Sequence, residues 1–270
     1  MIEIFSYPFM QRALLVGLMI SVCAALVGVS LVLRRNSMIG DGLSHTAFSA
    51  FALATVLGFA PLPFALPIVV IASFFVLRLS RNRKIFGDSA IAVLSASSLA
   101  IGTMAISLSK GVNIDLNSYL FGSILSLSWS DVLLSTILTA IILLLYLFAY
   151  HRIFAITFDE EFAKSVGIKT QVYDAIFAAI CSVIIVLGMR LLGSLLMSSL
   201  IIFPTLSAMR IGKTFKSIVI LSVTISVIAF LSGLIASYLF ATPTGATVVI
   251  ANLLMLLFLI AVEKIKEIKF

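Results

Sequence analysis

Long apolar blocks follow one another along this chain from residue 12 to residue 262, with only short polar breaks between them. A helix needs about 20 apolar residues to cross the hydrocarbon layer of a membrane, and the blocks have this length. A helix also pairs its backbone polar groups within its own segment, as lipid requires. The pattern therefore predicts an all-α, polytopic transmembrane helical bundle that forms a single domain over residues 1–270.

Basic residues separate the apolar blocks and predict how the chain is oriented. All but three of the 18 Lys and Arg residues fall in five short clusters, which by the positive-inside rule face the cytosol. There is room for two crossings between consecutive clusters and for one before the first cluster. This arrangement predicts about nine hydrophobic segments and a cytosolic C-terminus. The clusters are Arg34–Arg35, Arg78–Lys84, Arg152–Lys169, Arg210–Lys216 and Lys264–Lys269, and Arg12, Lys110 and Arg190 are expected on the outer side.

The composition agrees with a membrane protein and argues against other classes. Hydrophobic residues make up 62% of the chain and charged residues 11%, and the mean hydropathy of +1.25 is far above that of soluble domains. The sidedness of the basic clusters accounts for the net charge of +7, so this charge indicates no nucleic-acid partner. Cys23 and Cys181 lie in separate blocks without a paired spacing, so neither a disulfide nor a thiolate metal site is indicated.

Two ionisable residues interrupt the apolar pattern in the stretch LVLRRNSMIGDGLSHTAF. Asp41 and His45 are four residues apart, so in a helix they share one face with about 6 Å between their Cβ atoms. Ionisable groups inside a span are costly unless they face a cavity or a partner. A carboxylate and an imidazole suit zinc, manganese or ferrous iron. Two donors do not complete a coordination shell, whereas a two-fold dimer would supply two Asp and two His.

The same pair has a purely structural interpretation. An acid near the start of a helix is commonly a cap, and His45 would then form a hydrogen bond with a neighbouring span. Gly40 and Gly42 fit both interpretations, because glycines permit close helix packing or a kink. The spacing alone leaves metal binding and capping open.

A second informative stretch is the cytosolic loop formed by residues 156–175, ITFDEEFAKSVGIKTQVYDA. An acidic start and a glycine stop predict a short amphipathic helix inside this loop. A helix of this kind on the inner surface offers a protruding surface to which another protein can bind. An ordinary connector between two spans has the same pattern. The residues that form the acidic start, the apolar face and the stop are Asp159, Glu160, Glu161, Phe162, Ala163, Val166 and Gly167.

Five stretches in order resemble the permease subunits of bacterial ABC importers for zinc and manganese, the ABC-3 family. FMQRALLVGLMISVCAALVGVSLVLRRNSMIGDGLSH resembles the opening segment of that family, and DLNSYLFGSIL resembles its middle signature. DEEFAKSVGIKT is similar to its cytosolic loop, LLGSLLMSSLIIFPTLSAMR to its proline-containing span, and SYLFATPTGATVVI to its last outer turn. The order and spacing of these motifs over nearly the whole chain make the resemblance specific.

The resemblance implies a homodimeric permease with the type II ABC importer architecture in a bacterial inner or plasma membrane. The implied partners are a second copy of the chain, two ATP-binding cassette ATPase subunits and an extracytoplasmic metal-binding protein. Asp41 and His45 would coordinate the metal in the translocation path. Zinc or manganese would be the transported substrate, and no cofactor of the chain's own is implied. The loop 156–175 would couple to the ATPase through Asp159, Glu160, Glu161, Phe162, Ala163 and Gly167.

The chain departs from the family pattern at two positions. Ser123 follows the glycine of the middle signature, and Ala241 precedes the last turn, where relatives often carry acidic residues. Any contact that those acids make in relatives is therefore not expected here.

Other functions are compatible with a polytopic chain. A secondary transporter driven by protons or sodium would need more intramembrane ionisable groups than Asp41 and His45. An intramembrane metalloenzyme would need a third ligand, but the chain has only two His and no H-E-x-x-H motif. A permease for iron chelates or cobalamin would not require the pair. No G-x-x-x-x-G-K-[ST] loop occurs, so the importer subunit that we expect is not itself an enzyme and needs a separate ATPase.

Overall fold

The computed structural model describes residues 7–80, 87–109, 122 and 129–268, and almost all of these residues are helical. No strand occurs among them, so the predicted all-α class is confirmed. The described helices are α1 (Pro8–Leu33), α2 (Met38–Leu57), α3 (Pro61–Ser80), α4 (Gly87–Leu108), α5 (Trp129–Phe158), α6 (Glu160–Ser165), α7 (Thr170–Leu192), α8 (Ser194–Met209), α9 (Phe215–Phe240) and α10 (Thr244–Ile268).

Seven described helices are long and apolar enough to cross a membrane, namely α1, α3, α4, α5, α7, α9 and α10. The prediction of about nine such segments was therefore slightly too high for the described part of the chain. The other two long helices, α2 and α8, differ from the seven for separate reasons. α2 carries Asp41 and His45 among glycine, serine and threonine residues, which lowers its hydropathy. α8 has 16 residues, so it is only about 24 Å long and shorter than the hydrocarbon layer.

The centre of the bundle is formed by α1, α2, α7 and α8. α1 packs against α5, α7, α8 and α9, whereas α2 packs against α3, α4, α7 and α8. One large cluster of buried apolar side chains, which includes Ile20, Phe48, Ile185 and Leu196, joins these helices. By contrast, fewer than a quarter of the residues of α4 and α10 are buried. The two shortened or polar helices therefore lie inside the bundle, where neighbouring helices and not lipid surround them.

Glycines bring α8 close to both α1 and α2. A Cβ atom on Gly28 would stand 2.1 Å from the backbone oxygen of Ile201, so α1 approaches the backbone of α8 too closely for any side chain. A Cβ on Gly40 would stand 3.2 Å from Cδ1 of Ile201, and one on Gly42 would stand 2.7 Å from Cγ2 of Ile91 in α4. Because α2 continues as a helix through both glycines, they serve close packing and not a kink.

One end of the bundle, which we call the basic end, gathers the ends of several helices. Arg34 after α1 forms an ion pair with Asp174 near the start of α7. Phe215 at the start of α9 packs against Phe154 near the end of α5, with ring centroids 5.2 Å apart. The C-terminal ends of α8 and α10 meet there as well, because Arg210 and Glu263 form an ion pair of 3.3 Å.

The opposite end of the bundle contains the arginines that lie outside the basic clusters. Nη1 of Arg190, near the end of α7, lies 2.5 Å from Oδ1 of Asp131 in the first turn of α5. The guanidinium of Arg12 lies 4.8 Å from the ring centroid of Trp129. Arg12 and Arg190 therefore lie at the end of the bundle opposite to Arg34 and Arg210, and which end faces the cytosol stays a prediction. Lys110 lies outside the described residues.

Candidate functional site

The structure brings Asp41 and His45 together on one face of α2. Nε2 of His45 lies 3.7 Å from Oδ2 of Asp41, one helical turn away. Asp41 belongs to the first turn of α2, but the N-cap position of that helix is occupied by Ser37. Asp41 is therefore not the capping residue, which removes one half of the structural interpretation of the pair.

Ser198 of α8 is a third member of this site that sequence reasoning missed. Its hydroxyl donates a hydrogen bond of 3.2 Å to Oδ1 of Asp41, across 157 residues of sequence. The only signal in the sequence was the Ser-rich character of the stretch LMSSLIIFPT. The hydrogen bond holds one carboxylate oxygen and leaves the other facing the imidazole.

The site is partly open and is not completed by the described part of a single chain. The side chains of Asp41 and His45 are 39% and 23% exposed. Nδ1 of His45 is buried, and no described residue offers it a hydrogen bond. Because a neutral imidazole has one donor and one acceptor nitrogen, such an interior nitrogen lacks a partner that it would normally have.

The spacing of the two donor atoms is compatible with a shared divalent cation. Zinc binds imidazole nitrogen and carboxylate oxygen at about 2.0–2.2 Å, so two ligands of one tetrahedral ion lie about 3.4 Å apart. The observed 3.7 Å between Nε2 and Oδ2 is close to this separation. No group of three or more His, Cys, Asp or Glu side chains suited to a metal occurs in the residues that the structure describes. One chain therefore supplies two of the strong donors that a cation needs.

The predicted amphipathic helix in the loop 156–175 is present as α6. Asp159 is its N-cap and accepts a hydrogen bond of 2.8 Å from the backbone N–H of Phe162. At the other end, Gly167 has φ +88°, and the N–H groups of Gly167 and Ile168 bond back to the carbonyls of Lys164 and Ala163. This glycine-terminated cap ends the helix where the sequence predicted a stop.

The faces of α6 separate its predicted residues into two groups. The side chains of Phe162 and Val166 are 60% and 63% exposed, and we call this apolar pair the α6 knob. Ala163 is completely buried, so it anchors α6 to the bundle and cannot itself contact another protein. Asp159, Glu161 and Gly167 are exposed, whereas Glu160 is half-buried.

Glu160 is half-buried because it faces Arg34. Nη2 of Arg34 lies 3.4 Å from Oε2 of Glu160, while Nη1 of Arg34 lies 2.7 Å from Oδ1 of Asp174. Lys164 pairs with the second oxygen of Glu160 at 2.7 Å. The side chain of Asp174 is only 4% exposed. The arginine pair and the loop that contains Asp174 both stand out in the sequence. Nothing in the sequence indicates that they contact each other, because Arg34 and Asp174 are 140 residues apart.

Of the two positions that depart from the family pattern, the structure describes only Ala241. Ser123 is outside the described residues. Ala241 is the C-cap of α9 and has φ +51°, a left-handed conformation in which Asp and Asn are several times more common than other non-glycine residues. An acid at this position, which the family resemblance implies for relatives, would therefore have a conformational explanation that involves no metal.

The fold and the interior polar site together define a multi-pass membrane transport protein. The chain belongs to the ABC 3 transport family, whose model matches residues 6–264. This match confirms the resemblance on which the sequence analysis relied. It makes the chain a membrane-spanning permease of ABC transport.

Named relatives and a solved structure agree with this membership. The chain is 29% identical over 246 residues to the high-affinity zinc uptake system membrane protein ZnuB of Haemophilus influenzae, covering 91% of this chain and 94% of ZnuB. It is 29% identical over 251 residues to the manganese import system permease protein ScaB of Streptococcus gordonii, covering 93% and 90%. PsaBC from Streptococcus pneumoniae, solved in complex with Fab, superposes with a TM-score of 0.85 at 28% identity, covering 96% of this chain and 93% of that one.

Proposed function

We propose that this chain is the membrane-spanning subunit of an ATP-driven importer that carries zinc or manganese into the bacterial cytoplasm. The observation that carries the proposal is the partly open Asp41–His45 pair, with 3.7 Å between its facing donor atoms. The names of ZnuB and ScaB support a divalent transition metal as cargo. Carboxylate and imidazole donors accept zinc, manganese and ferrous iron, so the donor set does not choose among them.

A second copy of the chain completes the site in this proposal. Two-fold symmetry would place two carboxylates and two imidazoles around one ion, a set that zinc and manganese both accept. The partial exposure of Asp41 and His45 in a single chain supports this arrangement, because both side chains remain accessible to an ion that the two copies share. Coordination has to be weak and transient, since a closed, high-affinity shell would trap the cargo.

The energy for transport comes from separate ATPase subunits at the basic end. The chain has no phosphate-binding loop of the Walker type, and the α6 knob offers Phe162 and Val166 to a partner groove. The basic end, together with the C-terminus, is cytosolic by the distribution of Lys and Arg. An extracytoplasmic metal-binding protein delivers the ion at the opposite end.

The transport cycle then has three steps. The ion leaves the binding protein and enters the space between the two copies. The Asp41 and His45 pairs hold it there, with Ser198 orienting one carboxylate oxygen of each Asp41. Movement of α6 by the ATPases alters the distance between the paired donors and releases the ion to the cytosol.

The test is metal uptake by Asp41→Asn and His45→Gln variants in cells without other zinc and manganese importers. Both substitutions keep roughly the size of the side chain and replace a strong metal donor by a weak, neutral amide, so we expect uptake of radiolabelled zinc or manganese to fall to background. Asp88→Asn, the same change at an exposed acid in the first turn of α4, is the matched control and should leave uptake unchanged. Wild-type uptake by both site variants would refute the assignment.

A further inference from the structure

Arg34 stands at a junction of four helices at the basic end. It is the C-cap of α1, and its guanidinium contacts Asp174 of α7 and Glu160 of α6 at the same time. A planar guanidinium presents its donors in a fixed fork, which lets one side chain bridge two carboxylates. The fourth helix is α2, which begins three residues after Arg35.

The two contacts of Arg34, which we call the Asp174 arm and the Glu160 arm, differ in distance and in burial. The arm to Asp174 is short, at 2.7 Å, and Asp174 is 4% exposed, so it forms a buried, charge-assisted contact. The arm to Glu160 is longer, at 3.4 Å, and Glu160 is 35% exposed and shared with Lys164. Exposed and shared ion pairs are easily exchanged, whereas buried pairs are not. Displacement of α6 would therefore open the Glu160 arm first and leave the Asp174 arm in place.

A tight turn connects Arg34 to the start of α2. Arg35 has φ +59°, and the N–H of Asn36 donates a hydrogen bond of 2.8 Å to the carbonyl of Leu31. Asn36 and Ile39 line a cavity of about 40 Å³ together with Arg34 and Asp174, so the first turn of α2 faces the same junction. The turn is therefore short and hydrogen-bonded, which leaves few free torsions between Arg34 and α2.

We propose that Arg34 is a positioning residue that transmits movement of α6 to the Asp41–His45 pair. The ion pair of Arg34 with Asp174 stays in place, whereas the contact of Arg34 with Glu160 changes when α6 moves. The resulting shift of Arg34 then moves the start of α2. Asp41 is only seven residues after Arg34 in the chain. The inference rests on the proposed function, because it gives α6 the role of the segment that the ATPase moves.

The experiment measures metal transported per ATP hydrolysed by the complete transporter, reconstituted in liposomes with its ATPase and metal-binding protein. Glu160→Gln removes the negative charge of the Glu160 arm and leaves the buried Asp174 pair intact. We expect it to reduce the coupling ratio roughly tenfold, a typical size for coupling between distant sites. Binding of the ATPase subunits and of zinc or manganese should stay at the wild-type level.

Arg34→Lys provides the second variant, because it keeps the positive charge and loses the fork. An ammonium can pair with the buried Asp174 but cannot hold two separated carboxylates in the same fixed geometry. We therefore expect Arg34→Lys to fold normally and to lose coupling to the same extent as Glu160→Gln. Lys213→Gln is the matched control, since it removes an exposed basic side chain from the same end of the bundle but outside this turn, and its coupling ratio should be unchanged.

A double-variant cycle separates transmission through Arg34 from a direct contact of Glu160 with the ATPase. If Glu160 acts through Arg34, the variant with both changes should lose no more coupling than either single variant. Additive losses, weakened ATPase binding by Glu160→Gln, or wild-type coupling in either single variant would each overturn the inference. Those outcomes would leave the proposed function standing as long as Asp41→Asn still abolished uptake.

Discussion

The junction around Arg34 and the site around Asp41 lie next to each other in the bundle and differ in completeness. At the junction, each charged group has a partner in the same chain, and Asp174 is almost fully buried. At the site, the carboxylate and the imidazole are partly exposed, and Nδ1 of His45 has no partner among the described residues. The junction is complete within one chain, whereas the described part of the chain leaves the site open.

This contrast distinguishes charged groups that are paired within the chain and stabilise its fold from charged groups that remain accessible to a ligand. A buried ion pair with both partners present is stable in place, and removing one partner leaves an uncompensated charge. In the function proposed above, the open pair of Asp41 and His45 gains its partner when a cation or a second copy arrives. Loss of the buried Asp174 partner should therefore affect folding, and changes to the Glu160 arm should affect coupling, while substitutions of Asp41 or His45 should mainly affect metal handling.

The largest expected difference is in stability, between Asp174→Asn and Asp41→Asn. Asp174→Asn leaves Arg34 half-paired in the interior, and we expect a loss in the free energy of unfolding on the order of 3 kcal/mol. Asp41→Asn removes a partly exposed charge without a fixed counter-charge and should change stability by less than about 1 kcal/mol. Thermal unfolding in detergent measures both. Equal losses for the two variants would remove the distinction between complete and open sites.

A smaller effect is expected from the glycines that place α8 beside the site. Gly28→Ala puts a methyl group against the backbone oxygen of Ile201, which cannot move without shifting α8, and we expect a loss of about 1–3 kcal/mol. Gly40→Ala meets only Cδ1 of the same residue, a flexible side-chain end, and should cost little. Because Ser198 lies one turn before Ile201, only Gly28→Ala should also weaken metal binding by the purified protein.

For this pair of glycines, the decisive comparison is between metal affinity and stability. Metal titration followed by calorimetry gives the affinity of each variant, and chemical unfolding gives its stability. A normal metal affinity in a destabilised Gly28→Ala variant would mean that the position of α8 does not control the site.

The smallest expected effect is from Ser198→Ala, which removes one hydrogen bond from Asp41. A hydrogen bond to a charged group contributes about 1.5–3 kcal/mol at most, and Asp41 keeps some access to water, so we expect metal affinity to fall roughly fivefold. Ser199→Ala, at the adjacent residue, is the control, because the Ser199 hydroxyl bonds only to the backbone of Leu196 in the described structure. Equal affinities for the two variants would exclude Ser198 from the site.

Local sequence patterns were sufficient to predict most of the fold. Apolar blocks and basic clusters predicted a helical membrane bundle with Arg12 and Arg190 at the opposite end from the clusters. The acid-to-glycine pattern predicted α6 with its cap and its stop. These features depend on neighbours in the chain, on helix periodicity and on the preference of lipid for apolar residues, so they can be recognised without coordinates.

The count of crossing helices was less accurate because it placed two crossings between each pair of consecutive basic clusters, whatever the length and polarity of the individual helices. α2 and α8 are covered by other helices, so they tolerate polar residues or a short length. The burial that allows these exceptions is a property of the assembled bundle, and hydropathy along the chain does not contain it.

The Asp41–His45 pair could be predicted because both residues lie on one helix, where the 3.6-residue period sets their distance. Ser198, Asp174 and Glu160 could not be assigned their partners, which are 157, 140 and 126 residues away. Contacts over such separations are set by how helices cross and by which glycines let them approach. The amino-acid order was thus enough for the class of protein and for the proximity of Asp41 and His45. The packing of α1, α2, α7 and α8 created the oriented carboxylate and the arginine junction.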